Sequence, residues 1–286
     1  MWKIHKALGF KPSAKLIIAS KSEPVFLIGI GYYIKAYNFS DASLSFTINH
    51  KTSILSLFNH DVNPEIFFAS SANGIIKMYL LSKKQMIQSW TIKHLKFLFL
   101  EFFSPISNFV GVCKQKAHAL ALICSKTNEV KFNDFPINVY FPKIEAFMIA
   151  NSKAYVALGK KILIFNLITQ NWTILIHDEY ITNLACKDYI YASDKYGKII
   201  VWSKNKEGQS IKSSFHWHSH QVNSLQISDT HLFSGGSEGV LVMWNLKNMS
   251  KSFIPRISGK ILSINLSNDQ RYIALLLENK ILKIVQ

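Results

Sequence analysis

The chain has 286 residues, 49% hydrophobic and 17% charged, a balance that excludes a disordered polyelectrolyte and fits one large folded domain or two small ones. Its 33 basic residues against 17 acids give a formal charge of +16 and a pI near 9.6, which invites an anionic partner. No apolar run reaches the roughly eighteen residues of a membrane-spanning helix, and Cys113, Cys124 and Cys186 contain no CxxC pair for a disulfide framework or zinc site.

From the N-terminus, residues 1–10 contain a short strand candidate, Trp2–Leu8, and the apolar run Leu16–Ala19 that follows is too short for a signal peptide. A reducing, intracellular compartment is expected. Short apolar segments separated by turn residues then run to the C-terminus, with few stretches of helical period. An alternating strand with an aromatic near its end recurs at Tyr37, Tyr79, Phe165, Trp202 and Trp244, at intervals of 42, 86, 37 and 42 residues. The long interval is about two periods, so an unmarked unit is placed between Trp90 and Phe132. After Trp244 come strands near Ile261–Leu266, Tyr272–Leu277 and Lys280–Val285.

The pattern predicts seven units: 11–39, 40–80, 81–133, 134–168, 169–206, 207–248 and 249–286. A period near forty residues with four strands per unit is the mark of a WD-repeat array. The expected fold is therefore all-β, a seven-bladed propeller forming a single domain over residues 1–286. Residues 1–10 would supply the outer strand that the last unit lacks, closing the ring and covering a sheet edge.

The clearest unit spans residues 218–248. In a WD-type blade a His before the first strand, a Ser on the second, an acid in the next turn and a Trp on the third form one hydrogen-bonded chain, so that no buried polar group is orphaned. The residues assigned here are His220, Ser234, Glu238 and Trp244. Elsewhere the set is incomplete: Trp202 has Ser193 but Tyr196 at the acid's turn position, and Tyr79 has Asn73 there.

Other constellations point away from catalysis. Tyr191 and Lys195 have the YxxxK spacing of short-chain dehydrogenases, but they fall on a strand and turn where that chemistry needs a helix. Gly29 and Gly31 begin a GxGxxG that ends in Ile34, so the pyrophosphate turn is incomplete. His216, His218 and His220 alternate like metal ligands, yet no fourth ligand lies nearby. No catalytic residue, cofactor or metal is expected. The charge has two readings, since only Arg256 and Arg271 are arginine and the Lys, Ile, Phe, Asn and Tyr bias matches an A+T-rich genome. Either way the surface attracts RNA with an affinity that falls steeply with salt.

The segment FHWHSHQVNSLQ, then LFSGGSEGVLVMWNL, then SFIPRISGKILSI resembles the corresponding region of the WD repeat-containing protein 75 family and its fungal counterpart. The residues that carry the likeness are His216-Trp217-His218, Ser234-Gly235-Gly236, Val240-Leu241-Val242 with Trp244, and Ile254-Pro255-Arg256; FFASSANGIIKMY is a looser match. The resemblance implies a non-catalytic scaffold of the small-subunit processome, in the subcomplex that assembles first on the 5′ external spacer of pre-ribosomal RNA and is linked to ribosomal DNA transcription. It implies a nuclear, nucleolar location and, as partners, other WD-repeat and helical subunits of that subcomplex and the spacer RNA, with no membrane and no small-molecule substrate. Family members carry a second propeller and a C-terminal tail, and this chain is expected to represent the first propeller. The alternative is a WD-repeat adaptor in another complex, such as a ubiquitin-ligase receptor or a coat.

Overall fold

Aliphatic and aromatic residues that alternate with polar ones, bounded by Gly, Asn, Asp and Ser, favour short pleated strands over helices. The computed structural model describes residues 4–9, 16–71, 73–92, 95–114, 118–137, 143–204, 210–248, 250–254, 257–279 and 281–285. It is all-β, with four-stranded antiparallel sheets in the arrangement of a seven-bladed β-propeller. Among the described residues the only helix is the 3₁₀ turn Ser104–Ile106, and none could cross a membrane.

Strand β1 (Ile4–Gly9) precedes the first sheet, β2 (Leu16–Ala19), β3 (Val25–Ile30), β4 (Tyr33–Asn38) and β5 (Leu44–Asn49). The second sheet is β6 (Ile54–Asn59), β7 (Ile66–Ser71), β8 (Ile75–Leu80) and β9 (Gln85–Thr91). The third is β10 (Lys96–Phe103), β11 (Asn108–Lys114), β12 (His118–Cys124) and β13 (Val130–Asp134). The fourth is β14 (Ile144–Ala150), β15 (Lys153–Leu158), β16 (Lys161–Asn166) and β17 (Trp172–Ile176). The fifth is β18 (Ile181–Cys186), β19 (Ile190–Asp194), β20 (Lys198–Lys204) and β21 (Ser210–His216). The sixth is β22 (Val222–Ile227), β23 (His231–Gly236), β24 (Leu241–Asn245) and β25 (Lys251–Ile254).

The seventh sheet takes β26 (Ile261–Leu266), β27 (Ile273–Leu277) and β28 (Ile281–Val285) from the C-terminus and β1 from the N-terminus. β1 runs antiparallel to β28, with Ala7 opposite Lys283 and Gly9 opposite Ile281, so the start of the chain supplies the outer strand, as expected of it.

The sheets do not coincide with the units read from sequence. The unit 40–80, for example, holds β5 of the first sheet followed by β6, β7 and β8 of the second. Burial explains the offset. β3 is buried at every position, whereas the outer strands β5 and β9 are exposed at most of theirs. Outer strands carry little hydrophobic signal, so the eye ends each unit on the third strand.

The unmarked third unit has a similar cause. In five sheets an aromatic on the third strand faces the start of the second, as Tyr79 faces Phe67 and Trp244 faces Leu232. In the third sheet that ladder position is Ile123, opposite Phe109, and Phe132 lies on outer strand β13.

The chain divides into two compact units. Among the described residues the first comprises those within 143–264 and 275–279, and the second those within 4–137, 265–274 and 281–285. In the first unit the opening strands β18 and β22 each slip register near their start. Such bulges re-aim a side chain. Here they free Thr182 Oγ1 to donate to Val222 O at 2.5 Å, and Asn223 Nδ2 to Ile261 O at 3.0 Å, tying each sheet to the next. The second unit uses asparagines in the same way: Asn59 Nδ2 donates to Ala19 O at 2.8 Å, and Asn265 Oδ1 accepts from Ala19 N at 2.7 Å.

Candidate functional site

The predicted polar chain is built in the sixth sheet, with one member replaced. His218 Nε2 meets Ser234 Oγ at 2.7 Å, Trp244 Nε1 donates to the same oxygen at 2.9 Å, and His218 Nδ1 pairs with Glu238 Oε1. If Nδ1 carries the proton toward the carboxylate, Nε2 accepts from Ser234 O–H and the hydroxyl oxygen is left to accept the indole N–H. The three side chains of His218, Ser234 and Trp244 are buried and mutually satisfied. Gly236 makes room for the acid, since a Cβ there would lie 2.3 Å from Glu238 Oε2.

His220 is not a member. It is exposed, and its Nδ1 lies 2.9 Å from Ser219 Oγ. The reason is register along the entry loop. His218 stands four residues ahead of β22, as His177 does ahead of β18 and His50 ahead of β6, and all three are buried. His216 contacts Tyr196 O at 3.0 Å, so the three alternating histidines do not converge. Among the described residues no cluster of three or more His, Cys, Asp or Glu side chains is placed to hold a metal ion.

His50, His177 and Asp194 are the members that the motif search passes over. In the fifth sheet, His177 Nε2 is 3.3 Å from Asp194 Oδ2, and Asp194 Oδ1 accepts the N–H groups of Tyr196 and Lys198 at 2.8 and 2.9 Å. The acid therefore stands at the end of β19, two residues before the position where Tyr196 was read. Ser193 turns to Thr182 Oγ1 at 2.9 Å and makes no bond to Trp202. The available signal was periodic: His177 and His218 are 41 residues apart, close to the 42 between Trp202 and Trp244.

In the second sheet the chain shrinks to one pair, His50 Nδ1 and Tyr79 OH at 2.7 Å, with Lys77 Nζ on the His50 carbonyl. Burial, assisted by the Lys77 charge, pulls the His50 pKa down from 6.5 to about 4. The folded protein thus holds fewer protons here than the unfolded chain between those values. By linkage, its contribution to stability is complete above pH 6.5 and is lost as pH falls toward 4. Thermal melts across that window should show a falling Tm that His50→Asn flattens; an unchanged slope in the variant would assign the pH effect to other groups.

The other motif residues are dispersed. Tyr191 is buried in β19, whereas Lys195 lies in the next turn and pairs with Glu179 at 3.4 Å. Gly29 sits in β3 and Gly31, at φ 59°, makes the β3–β4 turn. Gly235 faces Ile261 so closely that a Cβ would lie 2.5 Å from its Cγ2. Trp217 stacks at a tilt on Phe253, ring centroids 5.0 Å apart. Pro255 and Arg256 lie outside the described residues.

On the surface of the first unit, two tyrosines and several lysines gather where the β15–β16 and β19–β20 turns meet the 178–180 connection. Tyr180 and Tyr196 are 53% and 54% exposed. Lys195 Nζ lies 5.1 Å from the Tyr180 ring centroid and 4.7 Å from that of Tyr196, and Lys160 Nζ lies 5.8 Å from Tyr180. Lys212 pairs with Asp178 at 3.1 Å and holds that carboxyl below its usual range.

Residues 153–278 match the family model for the first β-propeller of WD repeat-containing protein 75. U3 small nucleolar RNA-associated protein 17 of Schizosaccharomyces pombe is 32% identical over 128 residues, which cover 41% of this chain and 16% of that protein. WD repeat-containing protein 75 of Danio rerio is 38% identical over 95 residues, 31% of this chain and 11% of its own. The Homo sapiens protein of the same name is 24% identical over 282 residues, 88% of this chain and 34% of its own. The chain thus spans about a third or less of the length of the curated relatives it matches.

Proposed function

We propose, from the premise that this chain is related to the WD repeat-containing protein 75 family through that family's first propeller, that it is a non-catalytic subunit of the small-subunit processome. The observation that carries the reading is the match over residues 153–278, which contains the buried His218–Ser234–Trp244 chain. The relative named for association with U3 small nucleolar RNA supports it.

In this reading residues 1–286 act as one propeller domain, a rigid scaffold in the nucleolus for early ribosome biogenesis and pre-rRNA processing. Stiff sheets present turns and outer strands to sibling WD-repeat and helical subunits, while the +16 charge draws pre-ribosomal RNA toward the surface. A link to ribosomal DNA transcription belongs to the same proposal.

Affinity capture of the tagged protein tests it. Recovery of U3 small nucleolar RNA and spacer RNA together with other WD-repeat subunits is the expected result. An RNA-free set of different partners would replace it with the adaptor reading, and turnover by the purified chain abolished at one polar residue would replace it with an enzyme.

A further inference from the structure

We propose that Tyr180 and Tyr196, with Lys160 and Lys195, form a stacking platform for single-stranded nucleic acid. The proposal deepens the ribonucleoprotein reading above and rests on it only for the expectation that the natural ligand is RNA.

Two tyrosine rings that stand more than half in water are not core residues. Nor does their own contact explain them, because an exposed cation–π pair contributes only about 0.5–1 kcal/mol. The lysine ammoniums lie 4.7 to 5.8 Å from the ring centroids, so one small patch offers both flat π surface and positive charge. That pairing is what an unpaired strand requires. Bases stack on aromatic rings whatever their sequence, and the phosphates follow the lysines.

The patch contains acids too. Glu179 pairs with Lys195, and Asp178 with Lys212. Lys161 and Lys198 open the adjacent strands β16 and β20, so lysines outnumber carboxylates around the two turns. All four proposed residues ride on tight turns or the connection beside them, and those turns are anchored from below. His177 N donates to Lys160 O at 2.8 Å, Lys195 N donates to Tyr180 O at 3.2 Å, and the buried Asp194 carboxylate caps Tyr196 N. The platform is thus pre-organised, which lowers the ordering cost of binding.

The same turn in the first sheet follows the rule. Tyr32, after Gly31, accepts the N–H of His50 just as Lys160, after Gly159, accepts that of His177, and Tyr32 and Tyr33 are 56% and 45% exposed. An acidic protein segment would find the lysines but would make little use of two flat rings, which favours nucleic acid.

The test is fluorescence anisotropy of the full chain with a labelled oligouridine of about fifteen nucleotides, a length within the usual span of such sites. A duplex of equal length and polyglutamate serve as comparators. Tyr180→Ala with Tyr196→Ala should weaken single-strand binding by about tenfold or more while leaving its salt dependence and the duplex affinity unchanged. Lys160→Ala with Lys195→Ala should flatten the salt slope by about one unit or more. All four side chains are at the surface, so melting curves of the variants should match the parent.

Wild-type affinity in the tyrosine variant would overturn the platform, and so would an equal loss on duplex, or polyglutamate competing as well as RNA and losing affinity in the same variant. If capture still recovers U3 RNA when the tyrosine variant binds normally, the platform falls and the processome reading stands. Loss of that capture with the platform intact would be the reverse.

Discussion

Trp244→Ala should lower the stability of the protein by about 3–5 kcal/mol, as truncation of a large buried aromatic does. Trp244 is 3% exposed, its ring lies 4.6 Å from that of Phe215, and it packs among Leu232, Val240 and Val242. Removal leaves a cavity between these groups and takes from Ser234 its indole donor. Trp244→Phe separates the two losses. It keeps most of the ring but leaves the hydroxyl short of one donor, at a cost of about 1 kcal/mol for the hydrogen bond beyond the lost packing.

Trp202 is the internal comparison. It is 6% exposed and lies in a core cluster of its own, but it also lines a surface cavity, and its indole N–H makes no bond to a side-chain hydroxyl of the kind Trp244 makes to Ser234. Trp202→Phe should therefore cost less than Trp244→Phe. Urea titrations of the three variants measure this. Equal costs for the two Phe variants would remove the Ser234 bond from the account, and an unchanged midpoint in Trp244→Ala would remove the core assignment itself.

Gly197→Ala should be destabilising by about 3 kcal/mol or more, and Gly159→Ala by only about 1–2. Both glycines make the turn between the second and third strands of their sheets at positive φ, 86° and 59°. The backbone penalty is thus of one kind, and the difference lies in space. A Cβ on Gly197 would sit 2.3 Å from His218 O and 2.7 Å from His220 O, both backbone atoms that cannot rotate away. A Cβ on Gly159 would meet nothing closer than a Tyr180 ring carbon at 3.9 Å. The methyl on Gly197 must push back the loop that holds His218, and with it the bonds to Ser234 and Glu238. Denaturation of the pair reads the result, and equal losses would mean that the loop yields freely.

The histidines show how far a one-dimensional reading reaches. His216, His218 and His220 are chemically equivalent in the sequence, and choosing His220 placed the ring two residues too near the strand. Burial separates them, because only the residue four positions ahead of the first strand enters the space beneath the following turn. Asp194 was passed over for a related reason. The acid was sought in the turn, but a carboxylate at the end of β19 reaches the same ring and caps the turn as well. The third sheet escaped the aromatic search because Ile123 fills an apolar ladder position that needs volume and not a ring.

By itself the sequence determined the all-β class, the forty-residue period, the number of sheets and the contribution of the N-terminus to the last of them. Those follow from short-range alternation and its repetition, which composition and spacing record directly. Only the tertiary structure decided where one sheet ends, which histidine is buried, and that Tyr180, Tyr196, Lys160 and Lys195 share a surface. Outer strands are exposed, and solvent asks little of their residues. Likewise, the contacts of Lys160 and Lys195 with Tyr180 join residues 20 and 15 positions apart in the chain, where no local pattern links them.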